Sequence, residues 1–311
     1  MSVKGKYLNP KADLTFKLIF GEHKDLVMSL LNALLPLPAD GQIASVEYIS
    51  NELVPDNPGK KNSIVDVQCE DQRGRRFIVE MQNVWNEMFV KRVLLNTAKA
   101  IVKQVGEGED FYRLHPVYSL NLVNDEGFDR ETPEFYHDYV LTDVNHHDKT
   151  LDGIRMVFVE LKKFQPKSIP ERKMAVLWLR FLTEISEATE EVPAELLENA
   201  ETSKALLILE KSAYSDGQLH AYQNFWYTIH SERILEESGH AKGLAEGLEK
   251  GREEGRAEGR AKGLAEGKRK GLAEGERKGR AEVARNLKRI GMSVADIAKA
   301  TGLLEEEIAA L

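Results

Sequence analysis

The chain has 311 residues, enough for one or two domains with a buried core. Its net charge is −8, yet residues 239–280 hold twelve Lys or Arg against eight Glu, which leaves −12 on the rest and excludes a protein that coats nucleic acid over its whole surface. One cysteine excludes a disulfide framework, and the lack of a signal peptide or membrane-length apolar run predicts a cytoplasmic protein that does not enter membranes.

The first predicted elements are two helices. Leu14, Leu18 and Ile19 give residues 13–20 one apolar face, and a second helix covers 22–35. Asp13 stands where an acidic side chain often serves as an N-cap or first-turn residue. Residues 43–53 then predict a strand, and a polar loop over 55–61 follows it. That loop ends in Lys60 and Lys61, which could touch a phosphate backbone, although a solvated turn is the commoner meaning of such a loop.

A β-hairpin over residues 63–82 is the most informative stretch. Its arms are Ser63–Cys69 and Arg75–Gln82, joined by a polar turn that contains Gly74. Because side chains alternate along a strand, one face is predicted to be wholly apolar. That face holds Val65, Val67, Cys69, Phe77, Val79 and Met81, and the other holds Ile64, Asp66, Gln68, Ile78, Glu80 and Gln82.

The register of this hairpin decides whether its two carboxylates meet. A bulge at Gly74 would place Asp66 opposite Glu80, with Cβ atoms roughly 5 Å apart. Two carboxylates at that distance repel unless a cation lies between them, and Mg²⁺ is bound by one or two carboxylates together with phosphate oxygens. Gln68, on the same face, could orient a water or a phosphate oxygen. An ordinary amphipathic hairpin gives the same alternation, so both interpretations stay open.

The middle of the chain predicts mixed helices and strands. A helix from about 87 to 105 has a core face that includes Phe89 and Val93, and a basic face that includes Lys91 and Arg92. Strands follow over 116–123, 135–141 and 153–161, and residues 171–235 are helical. This order predicts a sheet with a helix covering one face.

The last part of the chain is a glycine repeat followed by a small cap. Eleven glycines recur at every fourth position from Gly239 to Gly279, in a context that otherwise favours helix. Because each glycine costs about 1 kcal/mol against alanine, the tail is either disordered or a helix whose glycine stripe lets a second copy approach closely. Residues 281–311 predict three short helices, with Ser293 as an N-cap and Gly302 as a turn. They resemble half of a helix-turn-helix, but the acidic last helix favours docking to protein over DNA.

Several of these motifs together resemble one nuclease family. Asp66, followed after thirteen residues by Glu80-Met81-Gln82, resembles the D…E-x-K core of the PD-(D/E)XK nucleases, with Gln in the Lys position. Asn9–Gly21 and the helix with Phe89, Arg92 and Asn96 resemble the Rpn family of recombination-promoting nucleases and transposase-like proteins, which also carry Gly-x-x-x-Gly tails.

The resemblance implies an α/β fold with a mixed central sheet flanked by helices. It implies a nuclease-like core over 1–165, a helical extension over 166–238, the repeat tail over 239–280 and the cap over 281–311. It also implies an endonuclease that hydrolyses DNA, with double-stranded DNA as substrate and Mg²⁺ or Mn²⁺ as cofactor. The alternatives are an inactive scaffold that assembles through its tail, and a DNA-binding regulator that acts through residues 283–311.

The same resemblance assigns roles to particular residues. The catalytic residues would be Asp66, Glu80, Gln82 and Asp13, and the metal ligands would be Asp66, Glu80 and the Met81 carbonyl. Weaker DNA contacts are predicted at Lys60, Lys61, Gln68, Lys91 and Arg92. The uncharged Gln82 can donate and accept hydrogen bonds but cannot replace the charge of a lysine.

Overall fold

A computed structural model describes residues 6–53, 63–105, 114–166 and 173–311 of the chain. The predicted loop lysines Lys60 and Lys61 lie outside these residues. Two compact units are present, Met1–Ile234 and Leu235–Leu311. The finer predicted division at residues 165, 238 and 280 remains a prediction.

The first unit opens with helices and continues into a sheet of six strands. The helices are α1 Asp13–Phe16, which continues as a π-helical turn Lys17–Gly21, α2 Lys24–Leu34 and α3 Met88–Val102. The strands are β1 Val46–Tyr48, β2 Glu52–Leu53, β3 Ser63–Ile64, β4 Val67–Asp71, β5 Arg76–Gln82, β6 Val117–Val123, β7 Tyr136–Thr142 and β8 Thr150–Glu160. The later helices are α4 Lys173–Glu184, α5 Ala194–Glu198, α6 Ala200–Ile208, α7 Asp216–Arg289, α8 Val294–Thr301 and α9 Glu305–Ala309. The predicted first strand is thus shorter than expected and split between β1 and β2.

The main sheet is mixed, as predicted. Its strand order is β1-β4-β5-β6-β8-β7, and β2 pairs with β3 in a separate two-stranded sheet. Strands β1, β4 and β5 are antiparallel neighbours, β5, β6 and β8 are parallel, and β7 returns antiparallel to β8. Strand β5 therefore lies inside the sheet, where hydrogen bonds on both sides hold it rigidly.

The main apolar core lies on one face of this sheet. Helices α1, α2, α4 and α6 contribute to it, and alternate residues of β4, β5, β6 and β8 point into it. Its fully buried members include Phe16, Leu26, Cys69, Phe77, Val79, Leu120, Val157 and Trp178. The predicted helical region thus packs on the sheet core, and the lone cysteine is a buried apolar residue.

Helix α3 covers the opposite face, which is less apolar. Two small clusters lie there, one with Ile78 and Ala100 and one with Phe89 and Phe158. Between them the sheet face carries buried polar side chains: Gln68, Glu80, Ser119 and Asn121. Buried polar side chains need hydrogen-bond partners. Their concentration on this face of the sheet makes it the candidate for the functional site.

In the second unit, the glycine repeat is helical. Helix α7 includes all eleven repeat glycines, and a Cβ built on any of them meets nothing within 4 Å. The cap has two short helices, α8 and α9, and not the predicted three, because residues 283–289 continue α7. The predicted helix ends are confirmed: the Ser293 side chain accepts a hydrogen bond from the Asp296 N–H, and Gly302 ends α8 with φ 69°. Ala284, Ile297 and Ile308 form its small core. In the described part of the chain, no helix is both long and apolar enough to span a bilayer.

Candidate active site

Glu80 is presented by the central strand β5. Alternation along β5 turns Phe77 and Val79 into the main core and Glu80 toward α3. The carboxylate of Glu80 is almost completely covered, since the residue is 4% exposed. A buried carboxylate on a rigid strand is costly unless a hydrogen bond or a cation compensates it.

Asp66 directly precedes β4, the strand next to β5. The ladder between β4 and β5 ends at the pair Val67 and Val79, so the predicted pairing of Asp66 with Glu80 remains a prediction. The Asp66 Oδ2 atom accepts a hydrogen bond of 2.7 Å from the backbone N–H of Met81. The turn that sets this register contains Gly74 at φ 77°, as expected for a residue in the left-handed region.

The first arm of the hairpin differs from the prediction. It is interrupted between β3 and β4, and Asp66 occupies the bend there. The bend changes the phase of the alternation, so Val65 packs with Ile78 and Ala100 beneath α3. The prediction that Val65 shares the face of Val67 is therefore wrong. The same bend lets the Asp66 side chain reach back across to β5.

The two carboxylates influence each other electrostatically. Burial raises the pKa of Glu80 well above its ordinary value, and the neighbouring Asp66 charge raises it further. Burial also raises the pKa of Asp66, against the hydrogen bond from Met81, which lowers it. The positive charges of Lys17 and Arg92 lower the pKa values of both groups. The site thus holds a buried carboxyl group, Glu80, close to a half-buried one, Asp66, and burial raises the pKa of both.

Asn96 is a contact of Glu80 that the sequence interpretation did not assign to the site. Its Nδ2 donates a 3.0 Å hydrogen bond to Glu80 Oε1, and its buried Oδ1 has no partner among the described residues. The available signal was its spacing, because Asn96 falls on the helical face of Phe89, Val93 and Ala100. A polar residue at a core position of an amphipathic helix indicates a buried polar partner.

Gln82 and Arg92 form a pair at the edge of the site. Arg92 Nη2 donates to Gln82 Oε1 at 2.7 Å, and Gln82 Nε2 donates to the Val84 carbonyl oxygen. Gln82 is partly buried, whereas Arg92 is exposed on α3. Both ends of the Gln82 amide are therefore already engaged within the protein.

Asp13 lies near the carboxylate pair without joining it. Its charge raises the pKa of Asp66, but its side chain is about half exposed and forms a 2.6 Å ion pair with Lys17. No three His, Cys, Asp or Glu side chains converge as a metal site within the ranges that the structure describes. A direct metal contact by Asp13 is thus a weaker prediction than those for Asp66 and Glu80.

The residues predicted to contact DNA differ in how exposed their side chains are. Lys91 and Arg92 are exposed neighbours on α3 and can meet a backbone phosphate. Gln68 is 2% exposed on the same α3-covered sheet face as Glu80, which is 4% exposed, and its contact with DNA remains a prediction.

The donor atoms present fit a hard divalent cation. Asp66 and Glu80 offer carboxylate oxygens, and the Asn96 amide that donates to Glu80 has a buried Oδ1 without a partner among the described residues. Mg²⁺ and Mn²⁺ are commonly held by one or two carboxylates, with water or phosphate oxygens completing the coordination. The Met81 carbonyl remains a predicted ligand, since the contact that the structure gives Met81 here is made by its N–H.

Comparison with known proteins gives one match. A family model described as a PD-(D/E)XK nuclease family transposase matches residues 10–229, which include both carboxylates, Gln82 and Arg92. No curated protein and no solved structure matches the chain.

Proposed function

Since the chain belongs to the PD-(D/E)XK nuclease family transposases, we propose that it is an endonuclease that cleaves double-stranded DNA with the help of a divalent cation. The reaction is phosphodiester hydrolysis, and its biological setting is recombination or the processing of mobile-element DNA. Nucleases of this type generally use divalent metals. The proposed ion is Mg²⁺ or Mn²⁺.

One observation carries the proposal: Asp66 lies close enough to the buried Glu80 on β5 to raise its pKa, it accepts a hydrogen bond from the neighbouring Met81 N–H, and burial raises the pKa of both carboxylates. Such an arrangement lowers the stability of the protein unless a cation binds to it, because desolvation and like-charge repulsion both act against folding. Perturbed carboxylates of this kind concentrate at functional sites. A bound divalent cation would neutralise charge on the scissile phosphate and activate the attacking water.

The protein residues have separate tasks in this proposal. Asp66 and Glu80 hold the cation, the Met81 N–H fixes the Asp66 carboxylate, and Asn96 fixes the Glu80 carboxylate. Hydrogen bonds of this type orient ligand oxygens and are often as important as the ligands themselves. The exposed Lys91 and Arg92 on α3 supply positive charge to a body that is otherwise acidic.

A second copy of the chain is the proposed protein partner, through the glycine stripe of α7. The support is steric: the repeat glycines leave the helix backbone uncovered along their side, so another helix could approach closely. The alternative function, a catalytically inactive scaffold, would keep this assembly role and lose cleavage.

The test is cleavage of supercoiled plasmid by the purified protein with Mg²⁺ or Mn²⁺. Nicking is expected, and it should disappear with EDTA and in Asp66→Ala. A matched control is Asp40→Ala, which removes an exposed carboxylate on the loop after α2 and should leave nicking unchanged. If neither ion supports nicking and calorimetry detects no Mn²⁺ binding, the inactive scaffold replaces the nuclease.

A further inference from the structure

Hydrolysis of a phosphodiester at this site would be faster with a positive charge from the protein in addition to the proposed cation. The scissile group is anionic, the two carboxylates beside it are anionic, and charge builds up on phosphate oxygens as the bond breaks. Gln82, which follows Glu80 on the same strand face, is neutral. A positively charged side chain that lies near Asp66 and Glu80 and can bind a phosphate would supply this charge.

Gln82 is held at both ends of its amide. Its Oε1 accepts from Arg92 and one N–H of its Nε2 donates to the Val84 carbonyl oxygen, which leaves a phosphate one N–H and no charge. The Gln82 amide is thus fixed at one end by the backbone and at the other by the Arg92 guanidinium. It holds Arg92 at a defined distance from β5.

Arg92 is held on a second side as well. Its guanidinium carbon lies 5.1 Å from the centroid of the Phe89 ring, one helical turn earlier on α3. The Gln82 bond uses one N–H of Nη2, while a guanidinium has five N–H donors in a planar fork that fits phosphate oxygens. The charge is exposed to solvent and acts on both Asp66 and Glu80.

Lys17 is the rival cation, since it too acts on both carboxylates. Its Nζ, however, lies 2.6 Å from Asp13, so a nearby carboxylate already cancels much of its charge. No ion pair found among the described residues includes Arg92, whose hydrogen-bond partner Gln82 is neutral. Arg92 thus keeps its full positive charge for a ligand.

We propose that Arg92 is the catalytic cation of this site, with its guanidinium on the scissile phosphate, and that Gln82 is a positioning residue that aims it. This inference rests on the proposed nuclease function. Helix α3 would then supply the positive charge, and β5 would supply the metal ligand Glu80 and the positioning residue Gln82.

The first experiment compares single variants with wild type in the plasmid assay. Arg92→Gln should reduce the cleavage rate by about 10²-fold or more, the size expected when a preorganised charge at the reacting group is lost. Arg92→Lys should recover only part of it, because an ammonium lacks the planar fork. Lys149→Gln, which removes an exposed charge on the turn between β7 and β8, away from the residues assigned to the site, should stay within about threefold of wild type. Equal rates for Arg92→Gln and Lys149→Gln would overturn the proposal.

The role of Gln82 is tested by non-additivity. Gln82→Ala should reduce cleavage in wild type but cause no further loss in an Arg92→Gln background, because the residue acts through Arg92. Gln82→Lys combined with Arg92→Gln should restore activity above that of Arg92→Gln, since it returns a cation to the same face. A loss from Gln82→Ala that persists undiminished in the Arg92→Gln background would overturn the positioning role.

A readout other than cleavage separates charge from folding. In calorimetry without DNA, Arg92→Gln should bind Mn²⁺ at least as tightly as wild type, because a repelling charge is removed. Its binding to a fluorescein-labelled duplex in Ca²⁺ should weaken, and its melting temperature should match that of Lys149→Gln. Joint loss of Mn²⁺ binding and thermal stability would assign Arg92 a structural role and overturn the proposal.

Failure of this inference differs from failure of the nuclease function. If wild type nicks DNA and Arg92→Gln nicks it equally well, only the assignment of Arg92 is lost. If wild type never nicks DNA and Asp66→Ala binds Mn²⁺ like wild type, the proposed function is lost and the assignment falls with it.

Discussion

The Asn96 amide donates to Glu80 at 3.0 Å from helix α3, while its own oxygen stays buried without a partner in the described part of the chain. The helix thus does more than cover the sheet, because it contributes a polar group to the carboxylate pair.

Removing the Asn96 side chain should weaken the site and preserve the fold. Asn96→Ala leaves the Glu80 carboxylate without its side-chain donor, and losing a hydrogen bond that orients a metal ligand typically costs 10- to 100-fold in metal affinity or activity. We expect a loss of about that size in cleavage and in Mn²⁺ affinity. The control is Thr97→Val, since the Thr97 hydroxyl is bonded back to Val93 within α3. Wild-type Mn²⁺ affinity in Asn96→Ala would contradict the role.

Neutralising Glu80 should stabilise the metal-free protein. At pH 8, Glu80→Gln removes a buried charge that is desolvated and repelled by Asp66, so the free energy of unfolding should rise by about 1–3 kcal/mol. The same variant should lose both DNA cleavage and the rise in melting temperature that Mn²⁺ gives to wild type. Urea and thermal unfolding with and without Mn²⁺ measure both effects. A Glu80→Gln protein that is less stable and still protected by Mn²⁺ would refute this account.

Lys11 should make stability depend on pH in the alkaline range. Burial lowers the pKa of its ammonium from 10.5 to about 8, and its Nζ donates to the Leu182 carbonyl oxygen at 2.6 Å. Between pH 8 and 10.5 the unfolded chain binds more protons than the folded one. The contribution of Lys11 to the free energy of unfolding therefore rises with pH in this window. The rise amounts to roughly 3 kcal/mol at most.

The comparison of Lys11→Met with wild type isolates that contribution. Other groups, such as Cys69, whose pKa burial raises to about 12, oppose the trend equally in both proteins. Urea unfolding across this pH window should therefore show the rise in wild type relative to the variant. Lys24→Met, at an exposed position on α2, should follow wild type. Parallel pH curves for wild type and Lys11→Met would count against the assignment.

Alanines in the glycine stripe distinguish a lone helix from a helix packed on a second copy. Gly251, Gly255, Gly259 and Gly263 meet no neighbour within 4 Å, so alanine fits each of them. In a lone helix each change should add about 1 kcal/mol of helix stability. If copies pack through the stripe, as proposed, the added methyl groups should shift sedimentation toward monomer while helicity is retained. Arg256→Lys with Arg260→Lys, which leaves the glycines intact, is the control. An unchanged sedimentation profile would exclude the stripe as the contact.

Much of the fold could be predicted because its patterns are local. The alternation in β5 and β6 and the helical spacing of Phe89 and Val93 depend only on neighbours in sequence. The register of β4 against β5, with Val67 opposite Val79, could be predicted for the same reason, since the short turn with Gly74 fixes it. Ser293 and Gly302 followed from the ordinary chemistry of helix ends.

The missed features depend on distant parts of the chain. The bend at Asp66 reverses the phase of Val65, and strand periodicity alone cannot show where such a break occurs. The burial of Gln68 beneath α3 depends on how that helix packs on the sheet, which strand periodicity does not encode. The link between Arg92 and Gln82 joins an exposed helix residue to a strand end, a contact that no residue spacing encodes.

The buried ion pair of Asp71 and Arg75 has a further consequence. Asp71 also accepts hydrogen bonds from the backbone N–H groups of Arg73 and Arg75, and the Arg75 side chain donates to the Gly41 carbonyl, so the loop between β4 and β5 is fixed in length. Inserting or deleting one residue there would shift β5 by one position against β4 and point Glu80 into the apolar core. Such a change would abolish the proposed activity although every residue of the candidate site would still be present. Among natural variants, the count of residues in this loop should therefore vary less than their identity.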